Sequence, residues 1–130
     1  MPEMRRSRTE AVSIALRAAA LDQRRLRSPS AVLQHLGMVQ LDTIAVLARS
    51  QELVAHARLG SVDRQVIHDA YWGNGETFEY WSHAACVVPL EMYPYFAFRR
   101  REFVTKAERW GVDQKVVRKV RKALADDGPQ

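Results

Sequence analysis

The chain is poor in cysteine and has no long apolar run, and each shortage removes a class of protein. Only one of its 130 residues is cysteine, Cys86. A single thiol excludes an internal disulfide framework and any multi-cysteine metal site, so the expected setting is a reducing cytoplasm. No stretch approaches the ~18 apolar residues needed to cross a bilayer, and no membrane partner is expected. The start, Met1-Pro2-Glu3-Met4-Arg5-Arg6-Ser7-Arg8, carries charge with no signal-peptide-length apolar segment behind it. Glycine-rich phosphate loops, a nucleophile elbow and an HExxH helix are also missing. His35, His56 and His68 show no metal-ligand spacing with Cys86, so no metal is expected.

What is present is a basic, globular composition. Hydrophobic residues make up 47% and charged residues 27%, and 20 Lys and Arg against 15 Asp and Glu leave a net charge of +5. A chain of this length can bury a real core. The basic surplus favours a polyanionic partner, because each cation that neutralises a phosphate releases counterions. Arginine greatly outnumbers lysine, and its planar fork suits phosphates and guanine edges. An arginine-rich codon composition gives the same excess, so charge alone does not decide the partner.

Hydrophobic spacing predicts mostly helix. Ala11, Ile14, Ala18 and Leu21 recur at helical intervals behind a cap at Ser7 or Thr9, and a basic loop (Arg24-Arg25-Leu26-Arg27) follows. Ser28-Pro29 restarts a short helix carrying Val32, Leu33 and Leu36, closed by Gly37. Met38 to Ile44 predicts a strand, being short and β-branched toward its end. Helices are expected over 50–59 and 63–71, and Gly73-Asn74-Gly75 is a turn. Phe78-Glu79-Tyr80-Trp81 predicts a second strand, followed by an irregular apolar segment ending at Pro89. Two more helices are expected, at 95–106 with Arg99-Arg100-Arg101 on it and at 113–125. The fold class is therefore mainly α with short β-strands (α+β), in the style of a helix-turn-helix or winged-helix protein.

Two segments could carry chemistry. On a strand, Gln40 and Asp42 share one face while Val39 and Leu41 face the core. Both polar groups can simply face solvent at a sheet edge, or Asp42 can cap the next segment through a backbone N–H. Alternatively, an amide and a carboxylate converge there on a small electrophile. The other segment runs from Phe78 to His83. Its aromatic density beside a histidine suits base stacking and hydrogen bonding, and equally suits a half-buried aromatic strand. Arg99 and Arg100 are candidates for phosphate contacts on an otherwise solvated helix face.

Taken in order, several stretches resemble the YcaQ/AlkZ family of winged-helix, crosslink-repair DNA glycosylases. They are Leu36-Gly37-Met38-Val39-Gln40-Leu41-Asp42-Thr43-Ile44, then Ala48-Arg49-Ser50 with Arg58-Leu59-Gly60. Phe78-Glu79-Tyr80-Trp81-Ser82-His83-Ala84-Ala85-Cys86, Pro89 and Trp110-Gly111 complete the likeness. The resemblance implies an N-glycosylase that excises N7-alkylated guanine and unhooks interstrand crosslinks without metal or cofactor. Its signature is a glutamine, an aliphatic residue, then glutamine or aspartate, here Gln40-Leu41-Asp42. Gln40 and Asp42 are thereby implied as catalytic, and His83, Tyr80, Trp81, Arg49, Arg99 and Arg100 as DNA-binding. Where many relatives have His-Glu-Ala, this chain has His83-Ala84-Ala85.

The resemblance also implies tandem winged-helix domains and a longer chain. Residues 1–112 are then an N-terminal winged-helix-like domain with the Gln-Leu-Asp motif, and 113–130 the first helix of a truncated second one. The expected partner is double-stranded DNA with alkylated bases, bound by a cytoplasmic, nucleoid-associated protein that is monomeric at full length. The competing expectations are a non-catalytic winged-helix DNA-binding module and an inactive truncated remnant.

Overall fold

Side-chain caps open four of the α-helices in the computed structural model, which describes residues 6–22, 26–111 and 113–128, apart from the side chains of 107 and 108. Arg24 and Arg25 of the expected basic loop lie outside the described residues. The chain divides into two compact units, one up to Tyr93 and one from Pro94.

In the first unit, α1 (Arg8–Ala18) starts at Ser7. The Ser7 hydroxyl accepts from the Glu10 N–H at 3.2 Å, and the Glu10 carboxylate accepts from the Ser7 N–H at 2.8 Å. These reciprocal bonds satisfy two orphan donors of the first turn. The expected apolar stripe is present, but Ile14 and Leu21 stay exposed and α1 buries no residue. Its C-terminal end is held by polar bonds instead, from Arg58 Nε to the Ala19 carbonyl and from the His35 ring to the Ala18 carbonyl.

Helix α2 (Pro29–Leu36) follows the expected design, with Ser28 as cap, proline at the first helical position and Gly37 in the left-handed region. Gly37 has a φ of 76°, which a side chain rarely adopts, and its N–H closes the helix on the Leu33 carbonyl. Then come strand β1 (Val39–Gln40), α3 (Ser50–Leu59) and α4 (Arg64–His68), the last running on as a π-helical turn, Asp69–Gly73. Strands β2 (Thr77–Trp81) and β3 (Ala85–Pro89) form an antiparallel hairpin, and β1 adds to its far side in the order β1-β3-β2. A helix, a strand, two helices and a hairpin, with the first strand beside the last, is the winged-helix arrangement. The fold is mainly α with a small sheet, as the sequence predicts.

Two expectations are corrected. The strand predicted over 38–44 stops at Gln40. Its neighbour β3 supplies partners only as far as Ala85, whose carbonyl accepts from the Leu41 N–H at 2.8 Å. Beyond that the hairpin turns at 82–84, so nothing remains for residues 42–44 to pair with, and β-propensity alone does not hold a strand. The segment expected to be irregular before Pro89 is β3 itself. As the middle strand it is covered on both faces, so it shows no alternation, only an unbroken apolar run.

The core of this unit is built from Leu33, Val39, Ala55, Ile67, Tyr71 and Val87. Ile67 and Tyr71 lie four apart, and Val39 pairs directly with Val87, so helix and sheet patterns meet in one cluster. A 3₁₀ segment (Leu90–Phe96) containing Pro94 runs across the boundary of the units and leads into α5 (Ala97–Arg109) in the second. The α-helix thus begins two residues later than predicted. Helix α6 (Gln114–Asp127) is capped by Asp113, which accepts from the Lys115 N–H at 2.7 Å. Its stripe of Val116, Val120 and Leu124 is exposed. Among the described residues no helix is long and apolar enough to cross a membrane.

Tyr71 is fully buried, and its hydroxyl has no partner among the described residues. Burial pushes the phenol up to about 12, with Arg58 opposing. The unfolded phenol ionises near pH 10 while the folded one keeps its proton. The resulting stability is therefore complete below pH 10 and is lost as pH rises through 12. At 1.36 kcal/mol per unit the loss is roughly 2–3 kcal/mol. Tyr71→Phe is expected to remove this alkaline loss without lowering stability at neutral pH, as read by urea unfolding on either side of that range.

Candidate active site

The Gln40-Leu41-Asp42 segment is tied down at each residue by a different part of the first unit. The Gln40 carbonyl accepts from Ser50 Oγ at 3.0 Å, fastening it to the start of α3. Leu41 donates to Ala85 and packs against the core cluster. Asp42 is half-buried, and its Oδ1 accepts from the Ile44 N–H at 2.9 Å. That bond closes a local Asx turn and fixes the carboxylate's direction. Among the described residues Ile44 is the sole hydrogen-bond partner of this carboxylate, leaving Oδ2 uncommitted. After the turn the chain runs exposed through Ile44, Val46 and Leu47, which are 71%, 88% and 92% accessible.

The sheet brings some of the other predicted residues to this segment. Gln40 pairs with Cys86, and Cys86 pairs with Tyr80 on its other side. Directly paired residues share a face, so Gln40 and Tyr80 flank the buried Cys86 with backbones about 10 Å apart. Phe78 shares that face and meets Tyr93 edge-on at 5.3 Å. Trp81 pairs with Ala85 on the opposite face and is exposed. His83 sits exposed in the hairpin turn, which the Ser82 N–H closes on the Ala84 carbonyl. Arg99 and Arg100 belong to α5, in the second unit. There Arg99 lies over the Phe103 ring at 5.9 Å.

Arg49 leads to a feature that the sequence did not disclose. It precedes α3, and its N–H donates to Glu52 Oε2 at 3.3 Å. It also lines a cleft of about 700 Å³ between α3, α4 and β2. Glu52 Oε1 accepts from Arg64 Nε at 2.8 Å, so one carboxylate takes both the backbone N–H that opens α3 and a guanidinium of α4. On the other wall Trp72 donates to Glu79 Oε1 at 2.8 Å, with the His68 ring 5.1 Å from it. The signal available in the sequence was His68 and Trp72 at helical spacing, with Glu52 three residues after Arg49. It is a weak signal, because the walls come from three separate elements. Among the described residues no group of three His, Cys, Asp or Glu side chains is placed to hold a metal ion.

A family model described as DNA glycosylase AlkZ-like matches residues 33–130. The chain belongs to this family. No solved structure matches the chain. The match opens at Leu33 inside α2, so the Gln-Leu-Asp segment, the cleft and the hairpin all fall within it, while α1 lies outside. Membership of the AlkZ-like DNA glycosylases makes DNA the partner and DNA repair the process.

Glu52 joins two walls of the cleft and caps α3. Glu52→Ala is expected to cost about 1–2 kcal/mol, since it removes a first-turn carboxylate and a charge-assisted bond. Arg64→Ala should cost under about 1 kcal/mol, because Arg64 is exposed and water replaces it. Urea denaturation of both variants checks this order.

Proposed function

We propose that the chain excises N7-alkylated guanine from double-stranded DNA, with interstrand crosslinks at that position among its lesions. Asp42 and Gln40 act on the glycosidic bond. An N7-alkylated guanine is already cationic and leaves without a general acid. As the C1′–N9 bond breaks, its electron pair goes to the departing base and positive charge develops on the sugar. A carboxylate held beside that charge lowers the barrier electrostatically. The uncommitted Oδ2 of Asp42 also suits the orientation of the attacking water and the acceptance of its proton. Gln40 offers both a donor and an acceptor to hold that water or the adjacent sugar-phosphate. Tyr80, Trp81 and His83 on the hairpin, with Arg49, Arg99 and Arg100, are assigned to DNA contacts. In this reading 1–112 is the winged-helix-like domain with the motif, and 113–130 opens a second one.

The observation that carries the reading is the oriented, half-used carboxylate of Asp42, on a segment pinned to α3 and β3. The test is release of N7-methylguanine from duplex DNA by the chain and by Asp42→Asn. The variant should be slower by about 100-fold or more, while salt-sensitive DNA binding persists. Equal release by both would remove Asp42 from the mechanism. Binding with no release from the unaltered chain would favour a non-catalytic DNA-binding module.

A further inference from the structure

The cleft between α3, α4 and β2 is built differently from the Gln40-Leu41-Asp42 segment, and it carries features the excision chemistry does not use. Its floor is aromatic and already fixed. The Trp72 indole is oriented by Glu79 through its N–H, meets Tyr71 edge-on at 5.7 Å and lies beside the tilted ring of His68. A ring held in one orientation is a low-entropy stacking surface, because little freedom remains to be lost on contact.

The opposite wall is polar and incompletely used. Gln51 is 4% exposed and lines the cleft, yet its side-chain oxygen has no hydrogen-bond partner among the described residues. A buried carbonyl oxygen without a donor is costly, and a ligand bearing N–H groups supplies one. Beside it, no described residue pairs with the Arg49 guanidinium, which leaves a fork suited to a phosphate. The volume of about 700 Å³ lies in the range of small-ligand sites. Helices α3 and α4 are the helix-turn-helix pair, and α4 is the helix that such a fold presents to nucleic acid.

We propose that this cleft receives one unstacked nucleotide. Its base lies on Trp72, a ring N–H or exocyclic amine donates to Gln51, and its phosphate sits on Arg49. The cleft adjoins the motif through Ser50, which follows Arg49 and donates to the Gln40 carbonyl. Glu79, on the cleft wall, pairs with Val87 on the sheet face opposite Gln40 and Tyr80. The cleft thus lies on the sheet face opposite Gln40, and the proposal stands whether or not Asp42 performs the excision.

The test is calorimetric titration of the full chain with deoxyguanosine and deoxycytidine monophosphates, and with inorganic phosphate alone. Saturable binding of a mononucleotide is expected, weakened about tenfold by Trp72→Leu and less by Trp72→Phe, which keeps a stacking face. Arg49→Gln should weaken mononucleotide binding while leaving melting unchanged. Three outcomes overturn the proposal: no saturable binding, binding undiminished in Trp72→Leu of unchanged melting temperature, or complete displacement of the nucleotide by phosphate, which would leave only an anion site. The readout is binding and not base release, so its failure leaves the excision reading untouched.

Discussion

Strand β3 holds both faces of the small sheet and both of its neighbours. Cys86, Val87 and Val88 are fully buried, and β1 and β2 take up the hydrogen-bonding edges on either side. A strand so placed can afford no polar side chain, and it has none. Its length sets the rest of the site. Because β3 begins at Ala85, β1 loses its partner after Leu41, and the chain must leave the sheet at the motif. The backbone groups of Asp42 and its successors then have to be satisfied locally, which the Asx turn on Ile44 does in part. The placement of the carboxylate follows from where another strand ends.

That dependence explains what could be read in advance. Ser7, Ser28 and Gly37 act within four residues of themselves, so their roles were visible from spacing. The order of the helices and of the first two strands was likewise accessible, because the hydrophobic period changes from element to element. The end of β1 was not, since it is fixed by a strand some forty-five residues away in sequence. Strand β3 was missed for the opposite reason: burial on both faces erases the alternation that marks a strand. The cleft was hidden because Arg49, Trp72 and Glu79 become neighbours only through folding. The motif stood out by its likeness to a family, and the cleft had no such label.

Net charge also proves a coarse guide to the site. The chain's +5 draws it toward a polyanion, yet the cleft is lined by acids as well as arginines. Each acid is occupied. Glu52 caps α3 and holds Arg64, Asp63 caps α4, and Glu79 holds the Trp72 indole. These carboxylates position cations, helix ends and a ring, and their negative charge is largely answered where it stands. Attraction over distance comes from the basic surplus as a whole, and orientation at close range comes from these fixed groups.

Asp42 does not fit that pattern. Asp42, Asp63 and Asp113 all accept from the backbone N–H two residues on, at 2.9, 2.7 and 2.7 Å. For Asp63 and Asp113 a helix begins at the next residue, so the carboxylate serves an N-terminus whose dipole favours a negative charge. No helix follows Asp42. The next begins at Ser50, after an exposed apolar loop. Capping therefore accounts fully for two of these three aspartates and only for the orientation of the third. That leaves a carboxylate turned to a fixed direction, with no helix to serve and one oxygen uncommitted, for the role proposed for Asp42.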